Sequence, residues 1–488
     1  MKQVTTRSLI RLMLALGISG AVALTARAEN LKEHRSTLAD QQQVAVTIYN
    51  QNLALVKDLR LIKLERGFNK LALREVSAKI RPETALLRSI NGVGGLRVIE
   101  QNFDFDLLTP HKLLEKYVGR SVRLIKTHPQ TGVERIEQAV VLSTNNGVVL
   151  RVGNRIEVGI PGRLVFDSVP ENLRDRPTLV MQLHSQTSGA RRLELSYLTG
   201  GLSWKADYVA ELNDSDNRLD LQGWVTLDNK SGTRYKNARL QLVAGDVNRA
   251  RRELDRALQA RKMARTALSE TRADMAEESL FEYHLYTLNR ATTIADNQTK
   301  QVSLLSAQGV PVTKEFLLRG RDYYYGSSYG ELGQKLKVGV YMEFENKKSA
   351  NLGMPLPKGV MRVYKKDSAG NAQFVGEDNI DHTPKNEKVR LKLGDAFDVT
   401  ADKKQTDFQK RARTRQYVYA FESAYEITLK NAKSQAVTVS VHEPVPGDWK
   451  ILSETHPHEK AAAGTARWRI VVPPEGKTML RYRVLVRY

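Results

Sequence analysis

Residues 195–247 read LSYLTGGLSWKADYVAELNDSDNRLDLQGWVTLDNKSGTRYKNARLQLVAGDV. Aliphatic and aromatic residues fill strand-length runs. Polar clusters at 213–217 and 228–233 separate them. Runs of that length and spacing predict an antiparallel β-sandwich. Trp204 and Trp224, two of the four tryptophans, and Tyr208 lie in these runs and are the expected structural core. The stretch decides a fold and names no reaction.

The same grammar extends outward. Residues 29–43 are polar and read as a linker, and alternation begins at VAVTIY, residues 44–49. An N-terminal β-domain over 44–110 follows, which 177–194 would continue. PHKLLEKY, residues 110–117, predicts one short helix. Five short strands then alternate with turns, among them Asn146-Gly147, a strong hairpin signal. A helix before five short strands predicts a small Sm-like β-barrel over 111–170. Residues 195–488 form the C-terminal β-domain. Within it, 248–280 is rich in Ala, Arg, Leu and Glu with apolar spacing of a narrow helical stripe, and is expected as a helical excursion. The predicted fold class is mainly β: multidomain antiparallel sandwiches, a small barrel insertion and one helical excursion. A chain of 488 residues accommodates several such domains.

The beginning of the chain reads as a signal peptide over 1–28. Lys2, Arg7 and Arg11 precede the apolar run 12–24, and Ala26-Arg27-Ala28 supplies a small-x-small cleavage site. A periplasmic or secreted location follows, with no transmembrane span after leader removal. The chain has no cysteine, which excludes disulfides and a lipid-modified cysteine. Removing Lys2, Arg7, Arg11 and Arg27 takes four positive charges from the formal +22 and leaves +18. An excess of that size favours anionic partners. For an exported protein these are acidic envelope polymers or an envelope protein; nucleic acid is not expected.

Several motifs carry a resemblance. YHLYTLNRATTIADNQTKQVSLL (283–305), GLSWKADYVAEL (201–212), LQGWVTLDNKSG (221–232), LQLVAGDV (240–247), PLPKGVMRVYKKDSAG (355–370) and LGDAFDVTADKKQTDF (393–408) are together similar to a bacterial exported family. That family carries a conserved C-terminal domain of unknown function and is related to mucoidy-inhibitor-type proteins. The resemblance covers about 195–488. It implies an exported, β-rich protein and no established activity. The long coiled coil frequent in mucoidy-inhibitor relatives is not present here.

Candidate chemistry is sparse. Asp207 and Asp246 are the carboxylates considered as an acid/base pair. His456-Pro457-His458 is the one close histidine pair, and its proline precludes helical ligand spacing, so no metal is expected. No phosphate loop or nucleophile elbow occurs, and no cofactor is expected. The segment 410–421 is different. Read as one strand, it places Arg411, Arg413, Arg415, Tyr417, Tyr419 and Phe421 on a single face. Cations could hold carboxylates there while rings stack on sugars. The alternative is a solvated edge strand protected by charge. The sequence therefore suggests an exported, non-catalytic envelope protein, a binding or structural module for acidic polysaccharide. The alternative is a polysaccharide or cell-wall hydrolase using surface-cleft carboxylates.

Overall fold

A computed structural model describes residues 32–50, 52–90, 95–104, 106–170, 173–245, 275–280, 283–412 and 417–488. The leader, Asp246, the segment 248–274, Arg413 and Arg415 lie outside the described residues. The architecture is mainly β, with one short α-helix among the described residues. Two compact units divide the chain, and they do not follow its order. One holds the residues up to Ser203 together with Leu227–Leu242 and Arg290–Lys300; the other holds Trp204–Thr226, Val243–Asn289 and Gln301–Tyr488.

In the first unit, one four-stranded sheet runs Glu33–Ser36, Gly67–Arg74, Thr178–Ser185, Leu96–Asp104. A second runs Tyr235–Ala244, Gln41–Tyr49, Leu53–Leu64, Gly189–Thr199, Leu86–Ser89. The expected linker at 29–43 thus contains an edge strand and the start of another. Its polar composition suits an edge: Glu33 accepts two hydrogen bonds of 2.8 Å from Arg174. Arg60 is buried, pairs with Asp58 at 2.8 Å, and donates to the carbonyls of Ser36 and Arg74. It belongs to the second sheet and its carbonyl partners to the first, so one satisfied guanidinium ties the two.

A five-stranded antiparallel sheet also lies in this unit: Arg155–Val158, Val149–Val152, Glu134–Ser143, Ser121–Thr127, Arg163–Val165. Helix Pro110–Lys116 precedes it, started by proline in the first turn and by the Thr109 hydroxyl accepting from the Lys112 amide. Leu114 and Tyr117 from the helical end pack with Val122, Leu124, Ala139, Val141, Leu150 and Val152.

The second unit is built on a long sheet. Its order is Ala372–Ile380, Gly359–Lys366, Leu202–Leu212, Arg218–Asn229, Gln298–Arg319, Glu331–Glu345, Lys388–Arg411, Ala420–Asn431, Gly476–Arg487, Asp448–Glu454. Strand Val437–Pro444 pairs in parallel with the end of Gln298–Arg319 and antiparallel with Thr465–Val472, which in turn pairs Glu459–Ala462. Inward residues of these two layers make one sandwich core that includes Val399, Ile427, Leu429, Val439, Val441, Trp468, Ile470, Leu480 and Val484. Trp468 is wholly buried, and its indole N–H donates to Glu454 at 2.9 Å.

Three expectations are corrected. Residues 275–280, read as the tail of the helical excursion, form a strand paired with Tyr283–Leu288. Trp224 is only half-buried. In strand Arg218–Asn229 the inward set is Leu219, Leu221, Val225 and Leu227, so Trp224 falls in phase with Asp220 and Gln222 on the other face. Trp204 and Tyr208 are buried, and the Tyr208 hydroxyl donates to the Pro357 carbonyl at 2.7 Å. Finally, 410–421 is not one strand. The strand Lys388–Arg411 ends, the chain reverses, and Ala420–Asn431 returns beside it, with Lys410 opposite Phe421 and Arg411 opposite Ala420. RARTRQ contains none of the Gly, Pro, Asn or Asp punctuation that would announce a reversal.

Candidate functional site

Strand Lys388–Arg411 turns Val399, Ala401, Lys403 and Gln405 inward; strand Val437–Pro444 turns Val439, Val441 and Glu443 inward. Each strand therefore runs from an apolar register into a polar one at the same end of the sandwich. There Lys403 Nζ meets Glu443 Oε2 at 2.6 Å, with the two side chains 2% and 0% exposed. The Tyr325 hydroxyl donates to the same oxygen at 2.8 Å and lies 3.0 Å from the Tyr482 hydroxyl. The Lys403 ammonium sits 4.5 Å from the Tyr324 ring centre and 5.1 Å from that of Tyr425, within cation–π range. Glu443 Oε1 has no hydrogen-bond partner.

The loop after Arg319, rich in Tyr and Gly, seals this end. Tyr425 donates to the Tyr324 carbonyl at 2.7 Å. Gln405 accepts from the Tyr329 amide at 2.6 Å and donates to the Ser327 carbonyl at 3.2 Å. Gly320 fits against the carboxylate: a Cβ there would lie 2.3 Å from Glu443 Oε2. Burial pushes the Lys403 amine below the ordinary lysine range, and Glu443 only partly restores it. Burial pushes the Tyr325 and Tyr482 phenols well up, and the Glu443 charge adds to the effect. The sequence reading singled out neither Lys403 nor Glu443 as a candidate. The available signal was a charged residue in phase with an inward apolar series.

Asp207 is the other carboxylate of interest. It is 7% exposed on strand Leu202–Leu212. Thr226 donates to it at 2.8 Å, and Arg362 pairs with it at 3.2 Å. Burial pushes its carboxyl up, but the Thr226 and Arg362 bonds outweigh that and hold it below the usual carboxylate range. Such a group is a committed anion, suited to holding Arg362 and poorly suited to donating a proton near neutral pH.

The expected basic-aromatic face takes another form at the hairpin of Lys388–Arg411 and Ala420–Asn431. Tyr419 is 61% exposed; its ring lies nearly parallel to Phe421 at 6.4 Å, and Phe421 stacks on Phe408 at 5.6 Å. Lys410, opposite Phe421, is exposed on the same face as the rings, and Arg411, opposite Ala420, is exposed on the other. Arg411 Nε donates to Glu422 at 2.7 Å, and Arg483 bridges Glu422 and Asp407 at 2.8 Å each. Tyr417 donates to Asp448 at 2.8 Å, with the Arg487 guanidinium 5.0 Å from its ring centre. Arg411, Tyr417 and Tyr419 are thus brought to one end of the hairpin, by pairing across strands and not by alternation along one.

Among the described residues no cluster of three or more His, Cys, Asp or Glu could hold a metal ion, and no helix is long and apolar enough to cross a membrane. A comparison with curated proteins gives no match. A family model described as a domain of unknown function, DUF4139, matches residues 193–488. That match takes in the sealed Lys403–Glu443 pair, Asp207 and the aromatic hairpin, and covers more than half of the chain. The protein belongs to the DUF4139 family.

Proposed function

We propose that this is an exported envelope protein that works without catalysis, as a binding or structural module, with acidic polysaccharide as its ligand class. The observation that carries the reading is the hairpin end, where Tyr419 stands exposed on Phe421 and Phe408 with Lys410 on the same face and Arg411 on the other. Rings of that kind offer apolar surface to sugars, and the cations offer charge to carboxylates. The net charge of the full chain, +22, which falls to +18 without Lys2, Arg7, Arg11 and Arg27, supports an anionic partner. The resemblance to mucoidy-inhibitor-type proteins points toward exopolysaccharide in the same direction. Asp207, locked to Arg362 and Thr226, supports a non-catalytic reading over a hydrolytic one.

The test is equilibrium binding of the chain to a purified polyuronate and to a neutral glucan. The polyuronate should bind, with affinity that falls as salt rises, because exposed charges are screened over about 8 Å at 0.15 M ionic strength. Tyr419→Ala combined with Lys410→Glu should weaken it. These positions are chosen because both are exposed, whereas Arg411→Glu would set a carboxylate against Glu422. Equal affinity for both polymers, or unchanged binding by the double variant, would overturn the reading.

A further inference from the structure

A second feature lies where strand Val437–Pro444 runs between the end of Gln298–Arg319 and Thr465–Val472, on the side away from the sandwich core. Strand register sets Arg319 opposite His442, and His442 opposite Arg467, so three basic residues form a row across three strands. Arg469 follows on the same face by alternation. Leu317, Arg319, Arg390, His442, Pro444 and Thr465 line a cavity of about 170 Å³ at this place.

The charge there is unbalanced. Glu315 pairs with Arg390 at 2.6 Å, and Glu459 pairs with Arg467 and lies 3.9 Å from Arg469. Two carboxylates thus serve three arginines. The side chain of Arg319 has no ion-pair or hydrogen-bond partner among the described residues. Two buried nitrogens are also unsatisfied: His442 Nε2 and Arg467 Nε. Buried polar atoms are nearly always partnered, so the unfilled nitrogen of His442, on a cavity that the unpaired Arg319 guanidinium also lines, points to an acceptor that the protein does not supply.

We propose that this hollow binds one small oxyanion, the carboxylate of a uronic acid or a phosphate group. Arg319 clamps it with two parallel N–H donors, geometry that guanidinium shares with carboxylate and phosphate. His442, in the tautomer protonated at Nε2, gives a further hydrogen bond. Burial holds its imidazole below the ordinary range; Glu315 opposes this, and Arg467, Arg390 and Arg319 reinforce it. The site is separate from the Tyr419 face and does not depend on polymer binding there.

Calorimetric titration of the full-length chain with inorganic phosphate, galacturonate and galactose tests it. At least one anion should bind and galactose should not. Arg319→Ala should weaken that binding about ten-fold or more, equivalent to about 1.4 kcal/mol. Arg319→Lys, which keeps the charge and loses the fork, should fall between. Both variants should keep the wild-type melting temperature, since Arg319 is exposed. Lys410→Glu should leave anion binding unchanged, which separates this site from the polymer-binding face. Binding of both anions means that the site reads charge alone. Binding of phosphate only assigns a phosphate group, and of galacturonate only a uronic acid. Binding of neither, or equal affinity in Arg319→Ala, overturns the proposal.

Discussion

Lys403 Nζ lies 2.6 Å from Glu443 Oε2 inside the C-terminal sandwich, and both side chains are sealed from solvent. Two strands from opposite layers are joined at that contact. Desolvating both charges offsets much of their attraction, so the pair adds little net stability over an apolar filling. It makes the loss of either partner severe. Lys403→Met should therefore cost about 3–5 kcal/mol by leaving Glu443 charged and unpaired. Lys403→Met with Glu443→Leu should recover most of that loss. Urea denaturation of the single and double variants decides it; a double variant as unstable as the single would show that the network as a whole, and not the orphaned charge, carries the cost.

Alkaline pH should destabilise the protein. Burial raises the Tyr235 and Tyr425 phenols to about 12, and pushes Tyr197, Tyr208, Tyr286, Tyr325 and Tyr482 well up. A group raised in the folded state contributes stability that is complete below its unfolded value. For a phenol that value is about 10, so the contribution is lost as pH rises from about 10 toward 12. Each such phenol should remove about 1.4 kcal/mol per pH unit in that window. Lys403, lowered on folding, works with the opposite sign and favours the folded state as pH rises toward its unfolded value. The phenols outnumber it. Urea denaturation at a series of pH values above neutrality should show stability level or rising up to about pH 10 and then a fall; stability that keeps rising above about pH 10 would contradict the burial of these tyrosines.

Trp204 and Trp224 should respond differently to truncation. Trp204 is 5% exposed in the inward register, and Trp224 is half-buried on the outer one. Trp204→Ala should cost about 3–5 kcal/mol, with Trp224→Ala well below it. The buried Trp204 indole N–H has no hydrogen-bond partner. Trp204→Phe should thus lose packing volume without losing a bond, and be milder than Trp204→Ala. Thermal unfolding of the three variants checks the order.

Gln405 should act as the latch of the tyrosine loop. Its side chain bonds Tyr329 and Ser327, and its own amide donates to the Gly330 carbonyl at 3.0 Å. Gln405→Ala removes the two side-chain links to the loop, together with a 3.2 Å bond to the Tyr425 hydroxyl, and should cost about 1–3 kcal/mol through the polar groups left unpaired. Amide hydrogen exchange should quicken across 321–330 while the strand Ala420–Asn431 keeps its protection. Uniform acceleration across both would mean that the loop opens only with the sandwich.

Much of this architecture was legible one strand at a time. Alternation in LSWKADYVAEL marks the buried set of Trp204, Ala206 and Tyr208, because successive strand side chains point to opposite faces. The same rule read strictly through LQGWVTL would have turned Trp224 outward, since it is out of phase with Leu221, Val225 and Leu227. PHKLLEKY, residues 110–117, was legible as the helix Pro110–Lys116, and the structure adds its cap at Thr109. The hairpin at 410–421 was not legible, since no Gly, Pro, Asn or Asp stands between Arg411 and Ala420.

The sequence by itself determined the mainly β class, the positions of most strands and the inward phase along each, because these depend on neighbours two residues apart. Only the tertiary structure decided which strands meet. Nothing local pairs Lys403 with Glu443, 40 residues away, or sets Arg319, His442 and Arg467 in one row. Nothing local assigns Leu227–Leu242 and Arg290–Lys300 to the unit that holds the start of the chain. Those relations rest on strand order and register, which are fixed by burying all the apolar faces at once and not by any one segment's preference.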